Sequence, residues 1–259
     1  MKKLLIFALL PILAACNTGR NSDTQQEEWI QLFNGENLDG WHIKIAGYDL
    51  NENIGNTFRV EDGMIKVRYD AYDEFTNQFG HIYYDQKFSH YRLRVEYRFV
   101  GEQAGGGPEW AIKNSGVMYH SQSPESVLKD QSFPVCLEGQ FLGGYNENER
   151  PTMNLCTPST HVHINNELVT QHCISSTSKT IRGEEWVSAE FFVYGDSIIH
   201  HLVDGDTVFT FSKPVIDGSD LPEGFPMTDG EPLREGYISL QAESHPVDFR
   251  KVELQDLSK

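Results

Sequence analysis

The sequence predicts an all-β protein built as an antiparallel sandwich. Short runs in which apolar and polar residues alternate recur along the chain, and a period of two is typical of strands that are buried on one face. Turn-forming pairs such as Asn34-Gly35 and Asp204-Gly205 separate these runs. We find no long segment with the 3.6-residue period of a helix. Short strands at this spacing therefore indicate a sandwich rather than a mixed α/β fold.

Residues 1–16 have the pattern of a lipoprotein export signal. Lys2 and Lys3 precede an apolar run, and Leu13-Ala-Ala-Cys16 follows that run and resembles the bacterial lipobox. The run is too short to cross a membrane as a helix. We therefore expect Cys16 to be lipidated and to anchor the protein to a membrane of the bacterial cell envelope, facing the periplasm or the outer surface. An unmodified secretory signal is the alternative.

The rest of the chain is expected to form a tether and a single domain. Residues 17–28 contain almost no apolar side chain, which is typical of a flexible tether. Residues 29–259 are enough for one sandwich with a sizeable core. The formal net charge of −17 should repel phosphate backbones, so we expect no nucleic-acid partner.

The first half of the domain supplies five predicted strands. The clearest covers residues 91–99, where apolar residues fill one face and charged residues fill the other, which we expect to meet solvent. The other four cover residues 29–33, 58–60, 64–67 and 80–84.

The second half supplies further strands and one long loop. Residues 213–235 are rich in Pro, Gly and Asp, and this composition predicts a loop. The predicted strands cover residues 114–120, 134–141, 161–164, 168–170, 186–194, 197–203, 207–211, 236–243 and 247–254.

The strands over residues 114–120 and 134–141 contain the best candidates for a functional site. Because strand residues alternate between faces, Glu138 and Gln140 should lie opposite the apolar residues of their strand. By the same rule Asn114 and His120 share one face of the preceding strand. A carboxylate and an amide in an apolar run indicate a polar surface over a buried sheet. A two-sided sheet whose polar face is simply solvated is the open alternative.

The cysteines of an exported domain favour one disulfide. Cys156 and Cys173 flank the hairpin over residues 161–170 in polar sequence, which predicts a bond between them. Cys136 lies inside a strand and should be a buried free thiol. The histidines of this region could form a metal cluster, but no accompanying carboxylate or cysteine pattern supports one. We therefore expect no metal and no cofactor, and exposed hairpin positions for His161, His163 and His172.

Four sequence fragments follow one another along the domain in a distinctive order. They are Leu32-Phe-Asn-Gly-Glu-Asn-Leu-Asp-Gly-Trp41, Asn114-Ser-Gly-Val117, Glu138-x-Gln140, and Gly236-Tyr-Ile-Ser-Leu-Gln241 with His245-Pro-Val-x-Phe-Arg250. Together they resemble the 3-keto-disaccharide hydrolase family, which is common among bacterial lipoproteins. The resemblance spans residues 29–257 and implies a concanavalin A-like, two-sheet jelly roll. It also implies cleavage of disaccharides or other glycosides that are oxidised to a ketone at C3. His120 stands where many members have Arg, and the insert with the paired cysteines is not general to the family.

The reaction that the resemblance implies needs a base, an acid and donors for an enolate. A ketone at C3 acidifies the hydrogen on C2, so a base can remove it, and the enolate then expels the C1 oxygen. Addition of water to the enone completes a net hydrolysis. The candidate proton carriers are Glu138, Glu243, His120 and His245. The candidate substrate-binding residues are Asn114, Gln140, Gln241, Trp110 and Tyr145, the two aromatic rings either stacking on a sugar or packing in the core.

Other mechanisms and functions stay open at this point. Direct hydrolysis by a pair of carboxylates, Glu138 and Glu243, is the competing mechanism. A non-catalytic carbohydrate-binding lipoprotein is the alternative function, because sandwiches of this kind serve lectins as readily as enzymes. A structural lipoprotein with a vestigial site is a third possibility.

Overall fold

The structure is a computed structural model that describes residues 28–258. The predicted lipidation site Cys16 lies outside the described residues, as do the leader and almost all of the tether. In the described part the chain forms strands and four short 3₁₀ turns, and none of its helical segments is long and apolar enough to cross a membrane. The predicted all-β class is therefore confirmed.

The strands are short and follow one another closely along the chain. They are β1 (Ile30–Gln31), β2 (Trp41–Ile45), β3 (Phe58–Glu61), β4 (Met64–Val67), β5 (Gly80–Phe88), β6 (His90–Phe99), β7 (Asn114–Ser121), β8 (Leu137–Leu142), β9 (Asn154–Cys156), β10 (Thr160–Ile164), β11 (Glu167–Val169), β12 (Cys173–Ile174), β13 (Val187–Tyr194), β14 (Ile198–Val203), β15 (Asp206–Ile216), β16 (Gly236–Ala242) and β17 (Val247–Asp256). The 3₁₀ turns are Ile54–Asn56, Glu109–Ala111, Pro124–Ser126 and Gly218–Asp220.

These strands form two antiparallel sheets, in a concanavalin A-like jelly-roll sandwich. The ten-stranded sheet has the order β11-β10-β15-β14-β13-β6-β17-β4-β3, with β1 paired to β17. The seven-stranded sheet has the order β12-β9-β8-β7-β16-β5-β2. Several neighbours in each sheet are distant in sequence, as in β6 beside β17, so the fold depends in part on long-range pairing.

The core lies between the two sheets and is rich in aromatic rings. Tyr97 of β6 stacks on Phe141 of β8 with ring centroids 3.9 Å apart, so the sheets meet at these two strands. At Gly139 a Cβ atom would come within 2.2 Å of the Phe191 ring, so only glycine lets that ring pack against β8. Because one face of the seven-stranded sheet packs in the core, only its opposite face is available for a functional site.

Several strands differ from those that the sequence predicts. β2, β9 and β12 were not predicted, and β12 has only two residues, too few for alternation to be recognised. β15 continues to Ile216, so the predicted loop over residues 213–235 begins later. The strand passes through Pro214 beyond the residues that pair with β14, where the missing N–H breaks no bond to that neighbour.

The charged face of β6 is more enclosed than the sequence predicts. Arg94 pairs with Glu253 at 2.8 Å, and its guanidinium lies 4.3 Å from the centroid of the Trp29 ring. Arg98 pairs with the buried Asp248 of β17 at 2.9 Å. The expectation that this face simply meets solvent is wrong, because cross-strand ion pairs and tryptophan rings cover part of it.

Candidate active site

The face of the seven-stranded sheet that points away from the core carries a polar surface. In β8, Leu137 and Phe141 belong to the core, so Glu138 and Gln140 project from the opposite face. The same alternation in β16 buries Leu240 and Ala242 and directs Gln241 and the following Glu243 outward. β7 pairs with both β8 and β16, so these side chains come together above three adjacent strands.

A cavity of about 800 Å³ lies on this face. Its size is within the usual range of about 300–1,000 Å³ for ligand sites. Five of the sequence-predicted site residues line it, namely Trp110, Asn114, Glu138, Gln140 and Glu243. Trp110 is 53% exposed and so can offer its ring to a ligand, whereas Trp41 is buried and donates to the Leu32 carbonyl.

Glu138 is a buried carboxyl group whose position depends on a glycine. It is only 5% exposed, and its Oε1 atom has no hydrogen-bond partner among the described residues. A Cβ atom at Gly116, on the neighbouring strand, would lie 2.7 Å from Oε1, so glycine provides the space for the carboxyl group. Loss of hydration raises the pKa of Glu138 from 4.5 to about 8. The group can therefore exchange a proton near neutral pH.

Glu243 is the second buried carboxyl group of the cavity. Burial raises its pKa well above the usual range, the negative charge of Glu138 raises it further, and the positive charge of Arg150 partly opposes both effects. Repulsion between the two carboxylates is mutual, so ionisation of one carboxyl group favours the protonated form of the other. The two carboxyl groups thus form a pair with one proton donor and one proton acceptor, which is what acid–base catalysis needs.

Arg150 is the most important residue of the cavity that sequence reasoning missed. Its guanidinium donates to four main-chain carbonyl oxygens, those of Trp110, Ile112, Lys113 and Gly143. These bonds fix a positive charge in the cavity wall, near Glu243. Arg150 lies in an irregular segment without periodicity. The only sequence signal for it is that a single arginine occurs within a polar loop.

The amide side chains of the site are held to different degrees. Gln140 accepts a hydrogen bond from Asn154 Nδ2 at 3.2 Å, which orients it in the cavity. Asn114 Oδ1 is buried without a partner in residues 28–258. Gln241 is fully buried beneath the surface, so it supports the floor rather than lining the cavity. Asn114 and Gln140 are thus the amides available to a ligand.

His120 does not join Glu138, contrary to the sequence-based expectation. β7 and β16 lose register here, with Ser121 opposite Tyr237 but Met118 opposite Ser239, so an extra residue enters β7. His120 has a φ of +47° at this bulge, and its Nε2 atom lies 3.1 Å from the Gly195 carbonyl oxygen. The bulge therefore turns the imidazole away from the face that alternation predicts.

His245 and Tyr145 also lie outside the cavity. Ser244, with a φ of +80°, turns the chain after Glu243, and its N–H donates to the hydroxyl oxygen of Tyr69 at 2.8 Å. His245 then faces a second depression, which Tyr145 also lines. Burial, with the charges of Lys113 and Arg150, lowers the pKa of His245 to about 4, so its imidazole is neutral at physiological pH.

Part of the cavity wall is formed by the insert and the long loop. The predicted disulfide between Cys156 and Cys173 is present and lines the cavity, and Cys136 is a buried free thiol, as predicted. His161 and Asp217 face each other here at 3.5 Å. His161 and His172 also line the cavity. The expectation of exposed hairpin histidines is wrong for His161 and His163, which are half-buried, and right for His172. No group of three or more metal-ligating side chains occurs in the described part of the chain.

Comparison with known proteins identifies the family. A family model described as the 3-keto-alpha-glucoside-1,2-lyase-like domain matches residues 28–255. The chain belongs to this family. The match confirms the family that the four fragments indicate, and it covers the whole sandwich. No curated protein matches the chain significantly.

Two solved structures from Parabacteroides distasonis ATCC 8503, both described provisionally as glycosyl hydrolases, have a similar fold. One is 20% identical, with 90% of this chain and 96% of that chain covered and a TM-score of 0.54. The other is 16% identical, with 89% and 100% covered and a TM-score of 0.53. At these identities the likeness shows the fold alone. Family membership supports a role in acting on glycosides or in binding carbohydrate.

Proposed function

We propose that this protein is a lipid-anchored enzyme that cleaves glycosides oxidised to a ketone at C3 of the sugar. The observation that carries the proposal is the pairing of two buried carboxyl groups, Glu138 and Glu243, in one cavity with a fixed arginine. Buried carboxyl groups with raised pKa values are typical of proton-transfer sites. The family assignment adds that a 3-keto glucoside is the class of substrate on which relatives are expected to act.

The proposed reaction proceeds by elimination and hydration. A carboxylate removes the proton from C2, and the electron pair of that bond forms an enolate whose charge lies on the C3 oxygen. The enolate collapses to the ketone as the C1–O bond breaks, leaving a C1=C2 double bond, and the departing oxygen takes a proton from an acid. Water then adds to C1, and C2 regains a proton, so the net result is hydrolysis.

Five cavity residues have a role in this reaction. Glu138, whose pKa of about 8 lets it ionise near neutral pH, acts as the base, and Glu243, whose pKa burial raises well above the usual range, protonates the departing oxygen. Arg150 carries the positive charge that stabilises the enolate oxygen, and its bonds to carbonyl groups keep it in place without reorganisation. Asn114 and Gln140 hold sugar hydroxyl groups.

The decisive experiment measures cleavage in deuterium oxide. The purified mature protein is incubated with native disaccharides and with the same disaccharides oxidised at C3, and released sugar and deuterium at C2 are quantified. We expect cleavage of the oxidised forms only, with enzyme-dependent deuterium at C2. Glu138→Gln should reduce both signals by about 10²–10⁴-fold, whereas Glu125→Gln, at an exposed position outside the cavity, should leave them unchanged.

Other outcomes would identify the competing functions. Cleavage of native disaccharides without deuterium at C2 would indicate direct hydrolysis by the two carboxyl groups. Saturable binding of both substrate classes without any cleavage would contradict the proposal and indicate a carbohydrate-binding protein.

A further inference from the structure

A second depression, of about 590 Å³, is lined by residues that Arg150 contacts. Arg150 lines the cavity, and it donates to the carbonyl oxygens of Ile112 and Lys113, two residues that line the depression. Its guanidinium carbon also lies 5.1 Å from the centroid of the Tyr145 ring, on the wall of the depression. Arg150 therefore links the cavity to residues that line the depression.

The depression contains a buried group that lacks a partner. His245 is only 2% exposed, and neither of its ring nitrogens has a hydrogen-bond partner among residues 28–258. An unpaired buried polar group is costly, and native proteins keep such groups mainly where a ligand or water completes the bonding. One nitrogen of a neutral imidazole donates and the other accepts, which suits a sugar hydroxyl group.

Exposed aromatic rings lie on both sides of Arg150. Tyr145, at 40% exposure, lines the depression, and Trp110, at 53%, lines the cavity. Most other aromatic rings of the domain are buried or half-buried. Aromatic rings with a free face beside polar groups are suited to the apolar faces of sugar rings.

The charges of the depression are balanced. Lys113 and Arg182 line it together with Glu102 and Glu147. The guanidinium of Arg182 is already bonded to main-chain carbonyl oxygens of the loop at residues 146–148. The depression therefore lacks the excess of one charge that an acidic sugar or a phosphate would need.

We infer that the binding site continues from the cavity across Arg150 into this depression, and that the substrate is a neutral oligosaccharide of three or more sugar units. The reacting sugar occupies the cavity at Glu138, and a later unit stacks on Tyr145 and bonds to His245. This inference rests on the proposed function for the place of cleavage, but the length of the site can be measured by binding alone.

The test is a series of ligands of increasing length. Cello- and malto-oligosaccharides of two to five glucose units, native and oxidised at C3 of the terminal ring, are measured by calorimetry with the full mature protein. We expect the affinity for at least one series to rise about tenfold between two and four units. Tyr145→Ala should bring the ratio of tetrasaccharide to disaccharide affinity close to one, and Tyr145→Phe should retain the wild-type ratio because it keeps the ring.

Tyr194→Ala serves as the matched control, since Tyr194 is similarly exposed, at 37%, but lies on the other sheet. Equal affinity at all lengths in both series, or an equal loss with di- and tetrasaccharide in Tyr145→Ala, would overturn the inference. Tighter binding of longer ligands without cleavage would support the extended site and contradict the proposed enzyme. Cleavage of oxidised disaccharides, with an affinity that does not depend on ligand length, would support the proposed enzyme and contradict the extended site.

Discussion

The carboxyl group of Glu138 is held in the protonated form by the fold, and this has a thermodynamic consequence. Its folded-state pKa of about 8 exceeds the ordinary value of 4.5. Between these two values the folded state binds a proton that the unfolded state releases, so the contribution of Glu138 to stability falls as pH rises from about 4.5 to about 8. The site is thus maintained at the expense of stability at alkaline pH.

Glu138→Gln should therefore stabilise the protein at alkaline pH. Gln keeps the shape of the protonated carboxyl group but cannot ionise, so we expect an unfolding temperature higher than wild type by roughly 3–10 °C at pH 9 and little difference at pH 4. Calorimetric melting at both pH values measures this. An equal or lower melting temperature for the variant at pH 9 would show that the carboxyl group is not raised in pKa.

Turnover should follow the ionisation of the same group. We expect kcat/KM on a 3-keto disaccharide to increase with pH until Glu138 has lost its proton near pH 8, and to fall again when Glu243 loses its own. Glu138→Gln should reduce turnover by about 10²–10⁴-fold, the usual contribution of a general base. A flat pH profile in wild type would exclude this assignment.

Gly116→Ala tests the position of the carboxyl group without changing its chemistry. The added methyl group would meet Glu138 Oε1, so we expect the carboxyl group to move and kcat to fall by about tenfold or more, with the folded state retained. Far-UV circular dichroism and turnover measure the two effects. Gly105→Ala is the matched control, since a Cβ atom there has no neighbour within 4 Å. Unchanged kcat in Gly116→Ala would contradict a precise role for Glu138.

At the residue scale the sequence predicts which strand face a side chain lies on, because apolar and polar residues alternate in regular strands, and it predicts little else about the site. Glu138 and Gln140 lie on the predicted face because β8 is regular over its length. His120 does not, because one extra residue in β7 reverses the faces after it. Arg150 has no periodic context, and only the packing of distant loops brings it to Glu243. Site residues in regular strands are thus predictable, and those in loops and bulges are not.

At the scale of secondary structure, the disulfide joins two very short strands. Cys156 and Cys173 are direct partners in the pairing of β9 with β12 and are 17 residues apart in sequence. Closing a loop of this size stabilises the folded state by about 3 kcal/mol in the chain-entropy model. We expect Cys156→Ser with Cys173→Ser to lower the unfolding temperature by about 5–10 °C. Scanning calorimetry of oxidised wild type and the double variant measures this, and equal melting temperatures would refute it.

The strands that sequence reasoning missed are those that depend on neighbours. β6 was predicted because apolar and charged residues alternate along its whole length. β9 and β12 have three and two residues, and they are strands only because β8 and the disulfide provide partners. Such elements carry no local signal, since tertiary pairing rather than propensity decides them.

At the scale of the whole molecule, a lipid anchor at Cys16 would determine where the cavity operates. We propose that Cys16 is lipidated, and Cys16→Ser should shift the protein from the membrane fraction to the soluble fraction or leave it unprocessed. Fractionation followed by immunoblotting measures this, and turnover of the purified domain should be unaffected. A variant that remains with the membranes as wild type does would exclude lipidation of Cys16.

The cavity wall contains the Cys156–Cys173 bond, and this couples the completion of the site to the redox state of its surroundings. In a reducing compartment the two thiols remain unbonded, so the short strands β9 and β12 have no covalent link. A newly made chain would therefore finish its site only after reaching an oxidising environment. Protein produced in a reducing cytoplasm would lack this covalent link in the cavity wall, so the disulfide should be formed before activity is tested.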